Sequence, residues 1–229
     1  MTRRGRQTLL LWVAAVMAGG LLAAVLELAL VPILDDQVRL HATSDSALNW
    51  GFVAVQAVMA LVSAIAIAGP PAFVLSRRLV GIAAPWIVAS AVAALLVAGI
   101  PFNTWLAGGP GYLIAADAQP SLVLFPLVVG AVSGCATGVA QAIVLKPYVR
   151  GAAWWIPAVI GGRAVANVAT ALVNWQVGGA GIRVATSTDF YVEAIVGVLV
   201  GWLIVGLVTG VVLVRLLGEL DPERTAAAT

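Results

Sequence analysis

Six long apolar runs dominate this chain, and each is about as long as a bilayer core is thick. They fall at about 8–34, 51–75, 82–100, 121–145, 153–175 and 190–217. A helix rises 1.5 Å per residue, so roughly 20 residues cross a hydrocarbon core of about 30 Å. In lipid the backbone must satisfy its own hydrogen bonds, which makes these runs helices. Composition agrees: of 229 residues, 62% are hydrophobic and 10% charged, whereas a soluble domain carries about 25% charged residues. So few charges cannot dress a water-facing surface. The expected fold class is an all-α integral membrane protein, one transmembrane domain of six transmembrane helices over 1–229, with residues 218–229 a flexible polar tail.

The start, MTRRGR and then TLLLWVAAVMAGGLLAAVLELALV, has the charged-then-apolar order of a signal peptide. Its apolar run is about twice a signal's usual length, which predicts an uncleaved first span. Orientation follows from the cations of the short loops. With the N-terminus inside, the inner segments hold Arg3, Arg4, Arg6, Arg77, Arg78, Lys146, Arg150, Arg215 and Arg224, while the outer loops hold only Arg39 and Arg183. Both termini are expected to be cytoplasmic, in a multi-pass protein of the cell membrane.

The single cysteine, Cys135, lies in an apolar run and is expected to be a small buried apolar residue that forms no intrachain disulfide. The single histidine, His41, is expected in a polar loop, which argues against His-ligated haem and His-rich metal sites. No Walker A loop, dinucleotide fingerprint or Gly-x-Ser-x-Gly elbow is present. The sequence therefore predicts no cofactor, no metal, no catalytic residue and no nucleic-acid partner, and it does not favour an enzyme.

An internal echo suggests duplication. PAFVLSRRLVGIAAPWIVASAVA, from Pro71, parallels QAIVLKPYVRGAAWWIPAVIGGRAVA, from Gln141. Val74-Leu75 corresponds to Val144-Leu145, Gly81 to Gly151 and Trp86 to Trp155, so spans 2–3 and 4–5 are expected to be copies of one helical hairpin. Parallel repeats of this kind occur in transporter folds.

The second copy also carries a resemblance. The tract GVAQAIVLKPYVRGAAWWIPA, residues 138–158, resembles a pattern in uncharacterised polytopic membrane proteins of bacteria. There Gly-x-x-Gln-Trp-x-Val-Leu-Arg is followed across a short loop by Trp-Trp. Gly138, Gln141, Val144, Leu145, Trp154 and Trp155 match, while Ala142 and Lys146 replace the Trp and Arg. The tract is about a tenth of the chain. The resemblance implies the fold class and the bacterial inner membrane, and it carries no activity.

The fifth span holds an arginine near its middle. A central arginine costs roughly 2.5–3.5 kcal/mol on insertion scales, and facing lipid would leave its five donors unpaired. Arg163, Asn167, Thr170 and Asn174 step by four, three and four, so they share one helix face opposite Val165, Val168, Ala169 and Val173. Such a stripe faces the bundle interior or a wet cavity. Glu27 in the first span and Glu193 near the outer end of the sixth are the candidate carboxylate partners. Gln141, in the fourth span, completes the interior polar set.

Small residues mark close helix contacts. Gly130, Gly134 and Gly138 form one ridge, beside a polar row of Ser133, Thr137 and Gln141; Gly197, Gly201, Gly206 and Gly210 form ridges on the sixth span. Such ridges serve packing within the chain, homo-oligomerisation or docking to a partner subunit. Trp154 and Trp155, beside Lys146 and Arg150, read as an interfacial belt touching membrane lipids. Gly69-Pro70-Pro71 is expected to kink or shorten the end of the second span. The segments 101–120 and 176–190 are expected as outer loops that fold over a vestibule or move.

Two functions fit. One is a small solute-binding or transport membrane component, with an outward-facing site among spans one, five and six for a small polar or anionic ligand. By fold-level analogy alone, six short-looped helices resemble the substrate-capturing components of energy-coupled vitamin importers, which implies an energising partner. The other is a structural or assembly subunit of a larger membrane complex, with Arg163 stapling helices together.

Overall fold

The apolar runs propagate as helix with few interruptions. In a computed structural model of the protein, the described residues are 2–41, 43–98, 119–178 and 188–218; the side chains of 45–49, 98, 119–122, 174–178 and 188–194 lie outside them. The helices are α1 (Arg3–His41), α2 (Asp45–Ser76), α3 (Ala83–Ala98), α4 (Gln119–Leu145), α5 (Trp155–Gly178) and α6 (Thr188–Gly218), with a 3-10 turn at Ala152–Trp154 before α5. No strand occurs among the described residues. Five of the helices are long and apolar enough to cross a membrane; α3, with 16 residues, is the short one.

Two local expectations need correction. His41 is not in a loop: α1 runs 39 residues and ends on it, with His41 Nδ1 2.8 Å from the Gln37 carbonyl oxygen. Arg39 and His41 fall in the last turn, where cations complement the helix dipole. Of the two outcomes expected at Pro70 and Pro71, shortening does not occur: α2 continues through them to Ser76. The two prolines deprive the Ala66 and Ile67 carbonyls of their helical N–H partners. Gly19 of α1 packs against those same carbonyls: a Cβ there would stand 2.6 Å from the Ile67 oxygen and 3.0 Å from that of Ala66. Close packing of a neighbouring backbone thus carries α2 through its weakest point.

Each helix packs mainly on its neighbours in chain order, and α6 closes back onto α1. The result is a ring of six antiparallel neighbours. Its outer face is apolar: Leu10, Phe73, Leu96, Leu124 and Ile143 are each more than 60% exposed. Soluble monomers rarely show such a continuous apolar surface, and it suits a lipid environment.

Glycines set the seams of the ring. A Cβ at Gly130 would lie 2.5 Å from the Arg163 carbonyl oxygen, one at Gly134 2.8 Å from Ile160 Cα, and one at Gly138 3.2 Å from Ile156 Cα, all on α5. On α6, Gly201 meets Thr170 of α5, Gly206 meets Val13 of α1, and Gly210 meets Leu9 and Trp12 of α1. Gly197 supplies a carbonyl to Thr170. Cys135, on the same helix as the first ridge, is exposed rather than buried, because the ridge and not the cysteine faces α5.

The turns α2–α3 and α4–α5 share one backbone. Leu79 N–H donates to Leu75 O at 2.8 Å and Val149 N–H to Leu145 O at 3.0 Å; Arg78 and Tyr148 donate to the same two carbonyls, both at 2.9 Å. Each chain then turns through a left-handed glycine, Gly81 at φ 80° and Gly151 at φ 74°. Only glycine adopts that conformation without cost.

Candidate functional site

Three leucines close the turn end of the ring. Leu75, Leu145 and Leu213, near the ends of α2, α4 and α6, are wholly buried. Against them sit three tryptophans from the starts of the other three helices: Trp12 and Trp86, each 2% exposed, and Trp155, 1% exposed. Their ring centroids lie 5.6–6.1 Å apart, all edge to face. Each such pair contributes about 0.5–1.5 kcal/mol beyond the area it buries.

Two of the three indoles are satisfied by the same device. Trp12 Nε1 donates to Thr209 Oγ1 at 2.9 Å, and Trp155 Nε1 donates to Gln141 Oε1 at 2.9 Å. Thr209 stands four residues before Leu213, and Gln141 four before Leu145. The hydroxyl of Thr209 donates on to Val205 O, while Gln141 Nε2 donates to Ser90 Oγ, which donates to Trp86 O. The position four before Leu75 is Pro71, which has no side-chain acceptor. Trp86 Nε1 accordingly has no partner among the described residues although it is fully buried. An unmade bond of this kind costs about 1–3 kcal/mol, and native proteins seldom leave one.

Above this floor lies a cavity of about 290 Å³, walled by all six helices. Beyond the tryptophans and their partners, it is lined by Ser63, Ser133, Thr137, Glu27, Arg163 and Trp202, among mostly small apolar residues. The Arg163 guanidinium carbon lies 4.7 Å from the centre of the Trp202 ring. Gly20 permits this, since the space a Cβ would take there is filled by the Trp202 indole. A desolvated cation–π contact is worth about 2 kcal/mol.

The expected Arg163–Glu27 ion pair is not formed, although both residues line the cavity. The Glu27 carboxylate instead accepts the Ser63 hydroxyl at 2.6 Å, and Arg163 rests on Trp202. Among the described residues Arg163 makes no hydrogen bond or ion pair. The other candidate partner, Glu193, and the stripe residue Asn174 have side chains outside the described residues.

Two further residues of the polar stripe, Asn167 and Thr170, stand outside the cavity lining. Thr170 Oγ1 donates to Gly197 O at 2.9 Å, in the α5–α6 seam. Asn167 is half-buried and is not part of the lining. Gln141 is buried at the centre and bridges α3 and α5.

The interfacial pair also divides. Trp154 is 71% exposed, but Trp155 belongs to the buried floor and not to a belt. Consecutive helical residues point about 100° apart, so the two need not share a face. Lys146 and Arg150 are exposed and border a separate groove of about 920 Å³ at the α4–α5 turn.

Sequence reasoning passed over Trp12, Trp202, Ser63, Ser90 and Thr209, and treated Trp86 only as a repeat marker. A signal existed: Trp202 stands mid-span, away from any interface belt, and the hydroxyls stand alone in apolar runs. No protein-family model matches the chain, and no curated protein and no solved structure matches it either.

Proposed function

We propose that the chain is a six-span protein of the bacterial cytoplasmic membrane, with both termini inside, that binds a small polar or anionic solute in its central cavity as a solute-binding or transport component. The observation that carries this reading is the Arg163 guanidinium. It lines the cavity and makes no hydrogen bond or ion pair among the described residues, and a charge withdrawn from water is costly unless something pairs with it. The solute is the missing counter-group. The buried tryptophans close the turn end, so the solute enters from the opposite, outer end.

The shared turn geometry of α2–α3 and α4–α5 supports a duplicated hairpin. The groove at Lys146 and Arg150 suits anionic lipid head groups at the inner surface. Active transport by such a component calls for an energising partner subunit. The alternative, an assembly subunit docked through its glycine ridges, has less support, because those glycines pack on the chain's own helices.

Native mass spectrometry of gently purified protein tests the reading. A co-purifying small solute is expected for the parent and not for Arg163→Leu. An Arg163→Leu variant that folds and retains the same solute overturns it.

A further inference from the structure

We infer that the solute is a small aminocarboxylate whose apolar, flat body ends in a hydrogen-bond acceptor; this rests on the solute-binding reading above. Three features of the cavity suit three different groups.

The first two are opposite charges kept apart. Arg163 and Glu27 line one cavity, yet each is held by an uncharged neighbour, Trp202 and Ser63 respectively. Neither has a charged partner among the described residues. A simple anion would answer Arg163 and leave Glu27 unpaired; a simple cation would do the reverse. A zwitterion answers both, with its carboxylate on the guanidinium, where two parallel N–H donors fit two oxygens, and its ammonium on the Glu27 carboxylate.

The third feature is the Trp86 Nε1 donor. Trp86 is 2% exposed, lines the cavity and has no acceptor among the described residues, whereas its two counterparts have one each. Trp86 lies in the floor with Trp155, and Arg163 stands eight residues further along α5, a rise of about 12 Å. A solute held by its carboxylate at Arg163 therefore reaches the floor with its far end. Nε1 itself is closed off as the indole stands, so an acceptor there would complete it once the indole turns toward the cavity that Trp86 lines. The walls between are Trp202 and small apolar side chains, which suit a flat body. At about 290 Å³ the cavity lies at the lower limit of small-molecule sites, so the solute is small.

Equilibrium binding to the full-length protein in lipid nanodiscs separates the three features. L-tyrosine has all three groups. L-phenylalanine lacks the acceptor, tyramine the carboxylate, and 3-(4-hydroxyphenyl)propionate the ammonium. L-tyrosine should bind at least about tenfold more tightly than each of the others, the loss expected for one polar contact. Glu27→Gln should remove the preference over 3-(4-hydroxyphenyl)propionate, and Trp86→Phe the preference over L-phenylalanine. Trp86→Phe breaks no side-chain hydrogen bond and keeps an aromatic ring in the floor, so it should fold, at a lowered melting temperature, and remain testable.

Equal binding of 3-(4-hydroxyphenyl)propionate overturns the zwitterion. Equal binding of L-phenylalanine overturns the acceptor-tipped body. Binding of none of the four overturns the inference as a whole. The co-purification experiment above then shows separately whether the cavity holds some other solute, so the two failures are distinct.

Discussion

Gln141 shows how much one polar side chain can organise inside an apolar ring. Its carbonyl takes the Trp155 indole and its amide reaches Ser90, which ties α4 to α5 and α3 at the level of the floor. Replacing it with leucine strands the Trp155 N–H in a site where it is 1% exposed. Gln141→Leu is expected to cost about 1–3 kcal/mol, the penalty for one unsatisfied buried donor, read as a lower melting midpoint in a thermal or denaturant titration. An unchanged midpoint would mean that the bond contributes nothing net. Pro71 illustrates the converse. By occupying the place that glutamine and threonine hold in the other two helix pairs, it leaves Trp86 open.

At the scale of the helix, seam and surface glycines behave differently for a physical reason. Gly134 lies where a Cβ would meet the α5 backbone at Ile160, which cannot rotate away. Gly134→Val is expected to destabilise by about 1–3 kcal/mol through overpacking. Gly161, also in a helix, has nothing within 4 Å of its would-be Cβ. There Gly161→Ala should be neutral or stabilise by up to about 1 kcal/mol, since alanine loses less backbone entropy in a helix. Paired melting curves decide it: equal shifts for the two variants would show that α4 and α5 are not in close contact. The same contrast explains Cys135, which lies on the outer side of α4 while the ridge beside it seals the seam.

For the whole molecule, the ring places the α2–α3 and α4–α5 turns at one end, together with the N-terminus and the last turn of α6. That end carries Arg77, Arg78, Lys146, Arg150 and Arg215, and in the topology we propose from the positive-inside rule it faces the cytoplasm. In a Cys135→Ala background, cysteines introduced at Arg78 and Arg150 should react with a membrane-impermeant maleimide only from the cytoplasmic side. Labelling of either position in intact cells would invert the proposed topology, and with it the outer opening of the cavity.

Much of this architecture was legible in the chain because it depends on local quantities. Run length and hydropathy determine that residues such as 121–145 form an apolar helix, whatever surrounds them. The repeated Val-Leu and Gly81/Gly151 pattern likewise marked two turns that prove to share a backbone. The 3.6-residue period even placed Arg163 on an inward face. What the period could not supply was azimuth and depth relative to other helices. It did not show that Trp155 turns in while Trp154 turns out, that Glu27 meets Ser63 before it meets Arg163, or that Thr170 is consumed by a seam. Those outcomes, and the open Trp86 donor, were decided only when six helices closed into a ring, because each depends on which atoms a neighbouring helix presents within about 3 Å.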